Sequence, residues 1–334
     1  MKVLFYDIDN LELEYFLDNS INLVEAKFFK TSLNSNTFIP DEFKDTEGLS
    51  VFVQSELSKE VLNNFPDLKF IFLRCTGYSN VDINYCKLRN IKVFNVPEYS
   101  SYSVSEFVFG LILNVSRNIL KSNNDLKKGI IEKEALTGVE LNSKTIGIIG
   151  IGSIGKKVAD IAKGFNMKVI VFDINKNKDY NFVSMDNLLK NSDFIVICCP
   201  LTPTTKHLIN HNSFLKMKKN AFIINVSRGE IIDTKSLYDA IQQEKIKGAG
   251  LDTVECEETL CKLYKNCTKD DNIKSNCSKK YLFNSKLLKN DNVIITPHIA
   301  YNTLEARKRA VKITLENIKS SFDTNSSPKN LILI

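Results

Sequence analysis

Residues 145–155 read TIGIIGIGSIG, and this stretch decides the fold of the chain. The run TIGII is apolar enough to form a buried strand. It leads into three glycines with the spacing G-x-G-x-x-G, at Gly150, Gly152 and Gly155. Apolar residues then recur at the spacing of one helix face: Ile154, Val158, Ile161, Ala162 and Phe165. A strand, a tight turn and a helix in this order present backbone N–H groups to a bound anion.

The glycines of this turn have different roles. The first permits the tight turn, the second lets a pyrophosphate approach the backbone, and the third lets the helix pack closely against the strand. Ser153 and Ile154 belong to the same predicted cofactor-binding turn. A second predicted strand ends at Asp173, 18 residues after Gly155. A carboxylate there accepts hydrogen bonds from a ribose 2′-hydroxyl and repels a 2′-phosphate, so the sequence predicts NAD rather than NADP.

Apolar runs alternate with helix-like stretches along most of the chain, which is typical of α/β proteins with parallel sheets. Before residue 100 the predicted strands are 3–6, 51–54, 69–73 and 92–95. From residue 144 they are 145–149, 168–172, 194–198, 221–225, 248–251 and 292–296. The later six, with helices between them, match a doubly wound dinucleotide-binding domain. A last helix is predicted from Asn302, with Glu305 three residues on, to about Ser320.

The segment between these two alternations has a different character. Ser103 and Glu106 have the spacing of a capping box, ahead of the run 107–113, which is apolar on every side. A helix of this kind has to be buried, so we predict that it lies between domains or between subunits.

Length and composition limit the class of protein. A chain of 334 residues with 43% hydrophobic and 25% charged residues is large enough for two globular domains. No apolar run approaches the roughly 18 residues of a membrane span, and the N-terminus resembles a first strand rather than a secretory signal, so we expect a cytoplasmic protein without a membrane partner. The formal charge of +6 comes from scattered lysines, which does not favour nucleic-acid binding.

The eight cysteines predict thiols rather than a disulfide framework. Cys198 and Cys199 adjoin in an apolar run, which suits reduced, core-packed side chains. Residues 261–284 are rich in Lys, Asn, Asp and Cys and predict a long surface excursion. The cysteines in and around it have no standard zinc spacing, so no metal is expected: Cys256, Cys261, Cys267 and Cys277.

Two residues at predicted strand ends could carry chemistry. Arg228 follows one strand in a chain with only six arginines, and its planar guanidinium binds a carboxylate bidentately. On composition alone, however, an ordinary surface arginine is the better interpretation. His298 follows the strand 292–296 and fits either an acid–base catalyst or a hydrogen-bonded core imidazole. The other histidines, His207 and His211, are predicted to be surface residues.

A carboxylate beside a catalytic histidine raises its pKa and fixes its tautomer. Three glutamates follow the strand 248–251: Glu255, Glu257 and Glu258. Spacing alone does not choose among them.

At these residues the chain resembles the D-isomer-specific 2-hydroxyacid dehydrogenase family over nearly its whole length. The resemblance rests on the glycine turn with Asp173 and on three further motifs: NVSRGEIID at 225–233, GLDTVECE at 250–257 and TPHIA at 296–300. It implies two doubly wound parallel-sheet α/β domains. A Rossmann NAD-binding domain, 101–298, is inserted into a flavodoxin-like substrate domain made of 1–100 and 299–334.

The resemblance also implies roles for the residues of one site. Arg228 would bind the substrate carboxylate and carbonyl oxygen, His298 would be the acid–base catalyst, and Glu257 would be its partner. Further residues are implied to line the cofactor: Pro200, Thr202, Ser227 and Asp252. Others are implied on the substrate side: Thr76 and Gly77, through their backbone N–H groups, and Tyr99. The helix from Phe107 resembles one that packs across a homodimer.

The expected activity is NAD-dependent interconversion of a small 2-keto acid and its D-2-hydroxy acid. D-lactate or a related D-2-hydroxy acid is favoured as the substrate, and a glycerate or hydroxypyruvate reductase is the alternative. A non-catalytic, NAD-sensing corepressor-like scaffold shares the fold and is the alternative from another class. A metal-binding or redox-sensor role through the cysteine-rich segment is a third alternative. The substrate side chain and the physiological direction stay open.

Overall fold

The computed structural model describes residues 1–19, 24–176, 178–257, 259–260, 277–322 and 329–332. The chain divides into two compact units. Unit 1 comprises Met1–Ser100 and Asn302–Ile334, and unit 2 comprises Ser101–Tyr301. Residues 299–301, predicted to start the C-terminal part of the substrate domain, belong to unit 2.

Unit 1 contains a five-stranded parallel sheet with the order β2-β1-β3-β4-β5. The strands are β1 (Lys2–Phe5), β2 (Glu25–Phe28), β3 (Gly48–Val51), β4 (Phe70–Leu73) and β5 (Lys92–Phe94). Its helices are α1 (Asn10–Asp18), α2 (Lys59–Leu62), α3 (Ile83–Leu88) and α11 (Leu304–Phe322). Alternating side chains divide the core between the two faces of the sheet. Phe72 and Phe94, for example, pack on the face covered by α11, whereas Ile71 and Val93 pack on the other.

Unit 2 contains a six-stranded parallel sheet with the order β7-β6-β8-β9-β10-β11. The strands are β6 (Thr145–Ile149), β7 (Lys168–Phe172), β8 (Phe194–Ile197), β9 (Phe222–Asn225), β10 (Gly248–Leu251) and β11 (Val293–Ile295). Its helices are α4 (Ser101–Arg117), α5 (Ile119–Lys127), α6 (Ser153–Gly164), α7 (Met185–Asn191), α8 (His211–Lys216), α9 (Thr234–Gln242) and α10 (Ser278–Leu288). Hydrophobic clusters cover both faces of this sheet, as expected for a doubly wound domain.

The predicted fold class is confirmed, and every predicted strand is present. The prediction 51–54 is displaced, because β3 ends at Val51. β2 was not predicted, because this edge strand alternates exposed and half-buried side chains and has no apolar run.

Two helix starts differ from the prediction. Helix α4 begins at Ser101, so Ser103 lies inside it and donates its hydroxyl to the carbonyl of Ala300 instead of capping the helix. The buried residues of α4 pack in the core of unit 2. This core explains their burial, which the prediction attributes to a contact between domains or subunits. Helix α11 begins at Leu304, and Thr303 rather than Asn302 accepts the N–H of Ala306. No helix among the described residues is long and apolar enough to cross a membrane.

Candidate active site

The glycine turn lies where a doubly wound sheet places its ligand. The strand order of unit 2 reverses between β6 and β8, and the crevice at such a switch point opens at the carboxyl ends of the strands. The turn follows β6 directly and leads into α6.

Each glycine of the turn is required for a different physical reason. Gly150 has φ +95°, and a Cβ there would lie 2.6 Å from the amide nitrogen of Cys199. A Cβ on Gly155 would overlap the carbonyl oxygen of Gly150. A Cβ on Gly152, in contrast, would meet no protein atom within 4 Å. Gly152 is the N-cap of α6 and provides no side-chain cap, so this helix N-terminus offers its N–H groups to an anion. These features fit a dinucleotide pyrophosphate.

Asp173 lies next to this turn, directly after β7. Its Oδ2 accepts the N–H of Ile151 at 2.8 Å, and its Oδ1 accepts the N–H of Asn175 at 2.8 Å. The carboxylate is therefore held at the edge of the turn, where the sequence places the ribose contact.

The chain after β8 forms the other side of the switch point. The hydroxyl of Thr205 donates to the carbonyl of Pro200 at 2.7 Å and accepts the N–H of Thr202 at 2.7 Å, which fixes this loop. Cys198 and Cys199 are free thiols, as predicted. Burial raises the pKa of Cys199 to about 11, so this thiol stays protonated at neutral pH.

The other half of the carboxyl edge carries the predicted catalytic residues. Strands β9, β10 and β11 are consecutive neighbours in the sheet. Arg228 follows β9, Glu257 lies on the chain after β10, and His298 follows β11. The imidazole Nδ1 of His298 lies 2.9 Å from Oε1 of Glu257. Glu257 is thus the one of the three glutamates that contacts His298 among the described residues; Glu258 lies outside them.

The surroundings of His298 determine its charge. Burial lowers the pKa of the imidazole, but the hydrogen bond to Glu257 and the charges of Glu257 and Asp252 outweigh burial and the opposing charge of Arg228. The pKa of His298 is therefore raised above its ordinary value. A half-buried imidazole of this kind can hold a proton near neutral pH and release it to a reacting oxygen.

Asp252 has a structural role that the sequence did not indicate. Its carboxylate is buried and accepts the hydroxyl of Thr296 at 2.6 Å and the N–H groups of Ile299 and Ala300, both at 2.9 Å. Its carbonyl accepts the N–H of His298 at 3.0 Å. Asp252 therefore holds the turn that presents His298, which has φ +53°. The predicted contact with nicotinamide stays a prediction.

Arg228 is exposed, and the residues beside it keep its backbone in place. The side-chain amide of Asn225 donates to the carbonyl of Arg228 at 3.0 Å. A Cβ on Gly229 would overlap the backbone of Val254, which explains why glycine follows the arginine. Ser227 donates its hydroxyl to the carbonyl of Cys199, so the loops after β8 and β9 are joined.

Glu255 is buried at the centre of a network that sequence reasoning missed. One oxygen accepts the N–H and hydroxyl of Thr234 at 2.9 and 2.7 Å, and the other contacts Nε2 of His207 at 2.8 Å and the ammonium of Lys280. The prediction that His207 is a surface residue is therefore wrong, since this ring is half-buried, whereas His211 is exposed as predicted. Burial, with the charge of Lys280, lowers the pKa of His207.

His207, Asp233 and Glu255 bring three potential ligand atoms within 4.8 Å of one another. The ammonium of Lys280 already neutralises Glu255, so we interpret the group as an ion-pair network rather than a cation site.

The cysteine-rich region differs from its prediction. Cys256 and Cys277 form a disulfide, so the prediction of thiols is wrong for this pair. The predicted surface excursion 261–284 is also too long, because residues from Ser278 belong to α10. Cys261 and Cys267 lie outside the described residues.

The predicted substrate-side residues belong to unit 1. Thr76 and Gly77 follow β4, and the hydroxyl of Thr76 donates to the carbonyl of Val96 at 2.8 Å. Tyr99 follows β5 and is buried, and its carbonyl accepts Nε of Arg309 at 2.8 Å.

A doubly wound sheet with an uncapped glycine turn, and an arginine and a carboxylate-paired histidine at neighbouring strand ends, define a nicotinamide-dependent dehydrogenase. Comparison with known proteins specifies the family. Residues 109–300 match the model of the D-isomer specific 2-hydroxyacid dehydrogenase, NAD binding domain. The chain belongs to the D-isomer specific 2-hydroxyacid dehydrogenase family.

Individual relatives agree with this assignment. The chain is 36% identical over 304 residues to 2-hydroxyacid dehydrogenase homolog 2 of Schizosaccharomyces pombe, covering 86% of this chain and 89% of the relative. It is 37% identical over 268 residues to hydroxypyruvate reductase of Thermotoga maritima, covering 79% and 81%. It is also similar to the crystal structure of D-lactate dehydrogenase from Aquifex aeolicus complexed with NAD and lactic acid, with a TM-score of 0.85, 34% identity and 99% of each chain covered. The protein is an NAD-dependent oxidoreductase that interconverts 2-keto and D-2-hydroxy acids.

Proposed function

We propose that the protein reduces a small 2-keto acid of the pyruvate type to its D-2-hydroxy acid, with Arg228, Glu257 and His298 as the catalytic residues. The observation that carries this proposal is the 2.9 Å contact between His298, which follows β11, and Glu257, which follows β10, the neighbour of the strand that leads to Arg228. NAD, when bound, supplies the hydride donor or acceptor.

The chain's own residues account for the proton and the charge. His298 gives its proton to the keto oxygen, and Glu257 stabilises the imidazolium before that step and fixes the ring orientation. The guanidinium of Arg228 binds the substrate carboxylate and stabilises the negative charge that develops on the carbonyl oxygen. We propose that the backbone N–H groups of Thr76 and Gly77 and the side chain of Tyr99 also bind substrate.

The proposed cofactor residues lie at the carboxyl edge of the sheet of unit 2, on the chain that follows strands β6 to β10. Gly150, Gly152, Ser153, Ile154 and Gly155 surround the pyrophosphate, and Asp173 binds the adenosine ribose. The rest of the cofactor is lined by Pro200, Thr202, Ser227 and Asp252. In this proposal unit 2, 101–301, is the NAD-binding domain, and unit 1, 1–100 with 302–334, is the substrate domain.

The similarity to a D-lactate dehydrogenase over 99% of both chains supports a lactate-type substrate. The similarity to a hydroxypyruvate reductase supports the alternative, a substrate with a 3-hydroxyl group. One assay separates them: NADH oxidation with pyruvate, hydroxypyruvate, 2-ketoisocaproate, phenylpyruvate and glyoxylate, compared by kcat/KM. Pyruvate or an apolar homologue should be the best substrate. A clear preference for hydroxypyruvate or glyoxylate would overturn the lactate-type assignment, and turnover of none of them would overturn the proposed function.

We also propose a homodimer. Five large apolar side chains are exposed on α5 and just after it: Ile119, Leu120, Leu126, Ile130 and Ile131. Apolar side chains clustered in this way are typical of an interface, and a second copy of this chain is the occupant that we propose. Sedimentation equilibrium should give the mass of two chains, and Leu126→Lys should shift it toward one.

A cytoplasmic location is proposed because three described cysteines, Cys86, Cys198 and Cys199, are thiols beside the one described disulfide, Cys256–Cys277. Cell fractionation should recover the protein with cytoplasmic enzymes.

A further inference from the structure

The disulfide between Cys256 and Cys277 lies directly beside the proposed catalytic pair. Cys256 separates Glu255, which is buried, from Glu257, which contacts His298. Its backbone has φ +56°, so the chain turns sharply between the two glutamates. Because Cys256 directly precedes Glu257, a change in the attachment of Cys256 changes how firmly the backbone of Glu257 is held.

Helix α10 is the other attachment point of this disulfide. Cys277 is the N-cap residue of the helix and is joined to Cys256 across 21 positions. The helix is bound to the same part of the chain at two further places. Lys280 contacts the carboxylate of Glu255, and the amide of Asn284 donates to the carbonyl of Glu255 at 2.8 Å. Of these three contacts with α10, the disulfide is made by Cys256, and the other two are made by Glu255. The disulfide is therefore the contact nearest to Glu257 in sequence.

The redox state of the other cysteines makes this disulfide unusual within the chain. Three other described cysteines, Cys86, Cys198 and Cys199, form no disulfide. Cys256 is partly exposed, whereas its partner Cys277 is buried. In a protein of a reducing compartment, an isolated disulfide with one partly exposed cysteine is typically a redox-responsive one rather than a structural one.

We propose that Cys256 and Cys277 form a thiol–disulfide exchange site whose oxidation state determines how firmly Glu257 is held against His298. A dithiol reductant attacks the Cys256–Cys277 bond through its thiolate, forms a mixed disulfide, and leaves as its own cyclic disulfide. Two electrons and two protons pass to the cysteines, which become thiols. A disulfide oxidant reverses the exchange. This inference rests on the proposed roles of Glu257 and His298.

The expected consequence is a change in catalysis without a change in cofactor binding. Reduction removes the attachment of Cys256 to α10 and leaves the contacts of Lys280 and Asn284 with Glu255, so Glu257 should spend less time at His298, whereas the glycine turn after β6 is unaffected. The hydrogen bond and charge of Glu257 raise the pKa of His298, so reduction should lower that pKa, with burial, Asp252 and Arg228 unchanged. Because small displacements of a catalytic group are costly, kcat should fall roughly tenfold.

The test compares full-length protein oxidised with a cyclic disulfide and reduced with dithiothreitol. Alkylation and mass spectrometry establish the state of Cys256 and Cys277 in each sample. Three measurements follow: kcat and KM for the best keto acid, NADH affinity by fluorescence, and the titration of the His298 imidazole by NMR. The chain has only three histidines, so His298→Gln assigns the signal. We expect lower kcat, a lower pKa of His298 and unchanged NADH affinity after reduction.

Matched variants assign the effect to this pair. Cys256→Ser with Cys277→Ser should behave as the reduced protein in both conditions, whereas Cys261→Ser with Cys267→Ser should keep the response. Equal His298 titration in the oxidised and reduced proteins would overturn the proposal, as would a response that persists in Cys256→Ser with Cys277→Ser. Absence of turnover in both redox states would overturn the proposed function instead, and the NMR titration would still decide the exchange site.

Discussion

The turn after β1 in unit 1 and the turn after β6 in unit 2 occupy the same position in two sheets that begin with the same strand order. In unit 1 the residue of this turn with a positive φ is Asp7, with φ +58°, and its carboxylate accepts the N–H of Phe52 at 2.9 Å and the hydroxyl of Ser55 at 2.7 Å. In unit 2 it is Gly150, with φ +95° and no side chain.

The helices that follow these turns differ in the same way. Asp9 caps α1 by accepting the N–H of Glu12 at 3.0 Å, whereas the N-cap of α6 is Gly152, without a side-chain cap. The shared topology creates a switch point in each sheet, but unit 1 fills it with its own carboxylates. Only the glycine turn leaves backbone donors for an external anion. Topology therefore says where a ligand could bind, and the side chains decide whether one does.

The largest effect on kcat should come from removing the proposed acid–base catalyst at the carboxyl edge of the sheet of unit 2. His298→Gln should lower kcat about 10²–10⁴-fold, because it removes the proton donor, and should leave NADH affinity nearly unchanged. His211→Gln is the control, since His211 is exposed at the start of α8. Steady-state kinetics and NADH fluorescence measure both quantities. Normal turnover in His298→Gln would show that the acid–base catalyst is another residue.

Gly152→Asp would give the turn of unit 2 the chemistry of unit 1. Gly152 has φ −71° and open space around its Cβ position, so the fold should tolerate the side chain. The new carboxylate should cap α6 and stabilise the protein by about 1 kcal/mol. It should also weaken NAD binding at least about 100-fold, because like charges in contact cost several kcal/mol. Calorimetry gives both values, and Gly152→Asp with unchanged NAD affinity would contradict the assignment of this turn to the pyrophosphate.

Glu257→Gln should reduce kcat roughly 10–100-fold, because a charge-assisted hydrogen bond is lost. It should also move the pH profile. Reduction of a keto acid requires protonated His298, so kcat/KM falls as pH rises through the pKa of this residue. That pKa is raised in the native protein, mainly by Glu257 with help from Asp252 against burial and Arg228. In Glu257→Gln the descending limb should therefore lie at lower pH. An unmoved limb would mean that Glu257 does not set the charge of His298.

These comparisons also indicate what the sequence could predict. Gly150 and Gly155 were predictable because each is required locally, by a positive φ or by a neighbouring atom, whereas Gly152 leaves open space for a ligand. The strands of unit 2 were predictable because buried parallel strands are continuous apolar runs. β2 was missed because an edge strand has no such run.

The choice among the glutamates after β10 could not be made from spacing. Glu255 and Glu257 lie two positions apart on irregular chain, yet one is buried against Thr234 and the other contacts His298. The disulfide could not be predicted either, because cysteine pairing depends on where α10 lies in space.

Asp173→Asn should affect the cofactor less than Gly152→Asp. Unit 1 has no acid at the corresponding place, because β2, the equivalent of β7, is followed by Phe29 and Lys30. Replacing the carboxylate weakens the ribose hydrogen bonds and removes the repulsion of a 2′-phosphate. NAD affinity should fall about tenfold and the ratio of NADP to NAD affinity should rise. Titration with both cofactors measures this, and an unchanged ratio would place the adenosine ribose elsewhere.

The smallest effect should come from Asp9→Ala, which removes the cap of α1 in unit 1. Stability should fall by about 1 kcal/mol, and NAD affinity should not change, since the capped turn binds no anion. The pH dependence identifies the cause. Burial raises the pKa of Asp9, but the N–H of Glu12 and the guanidinium of Arg307 outweigh it, so the pKa is lowered in the folded protein. The cap therefore stabilises the fold above the unfolded pKa and loses this effect as pH falls through the folded pKa. Urea unfolding of both proteins should give stabilities that converge in acid, and a difference that persists there would assign the loss to packing rather than to the charge.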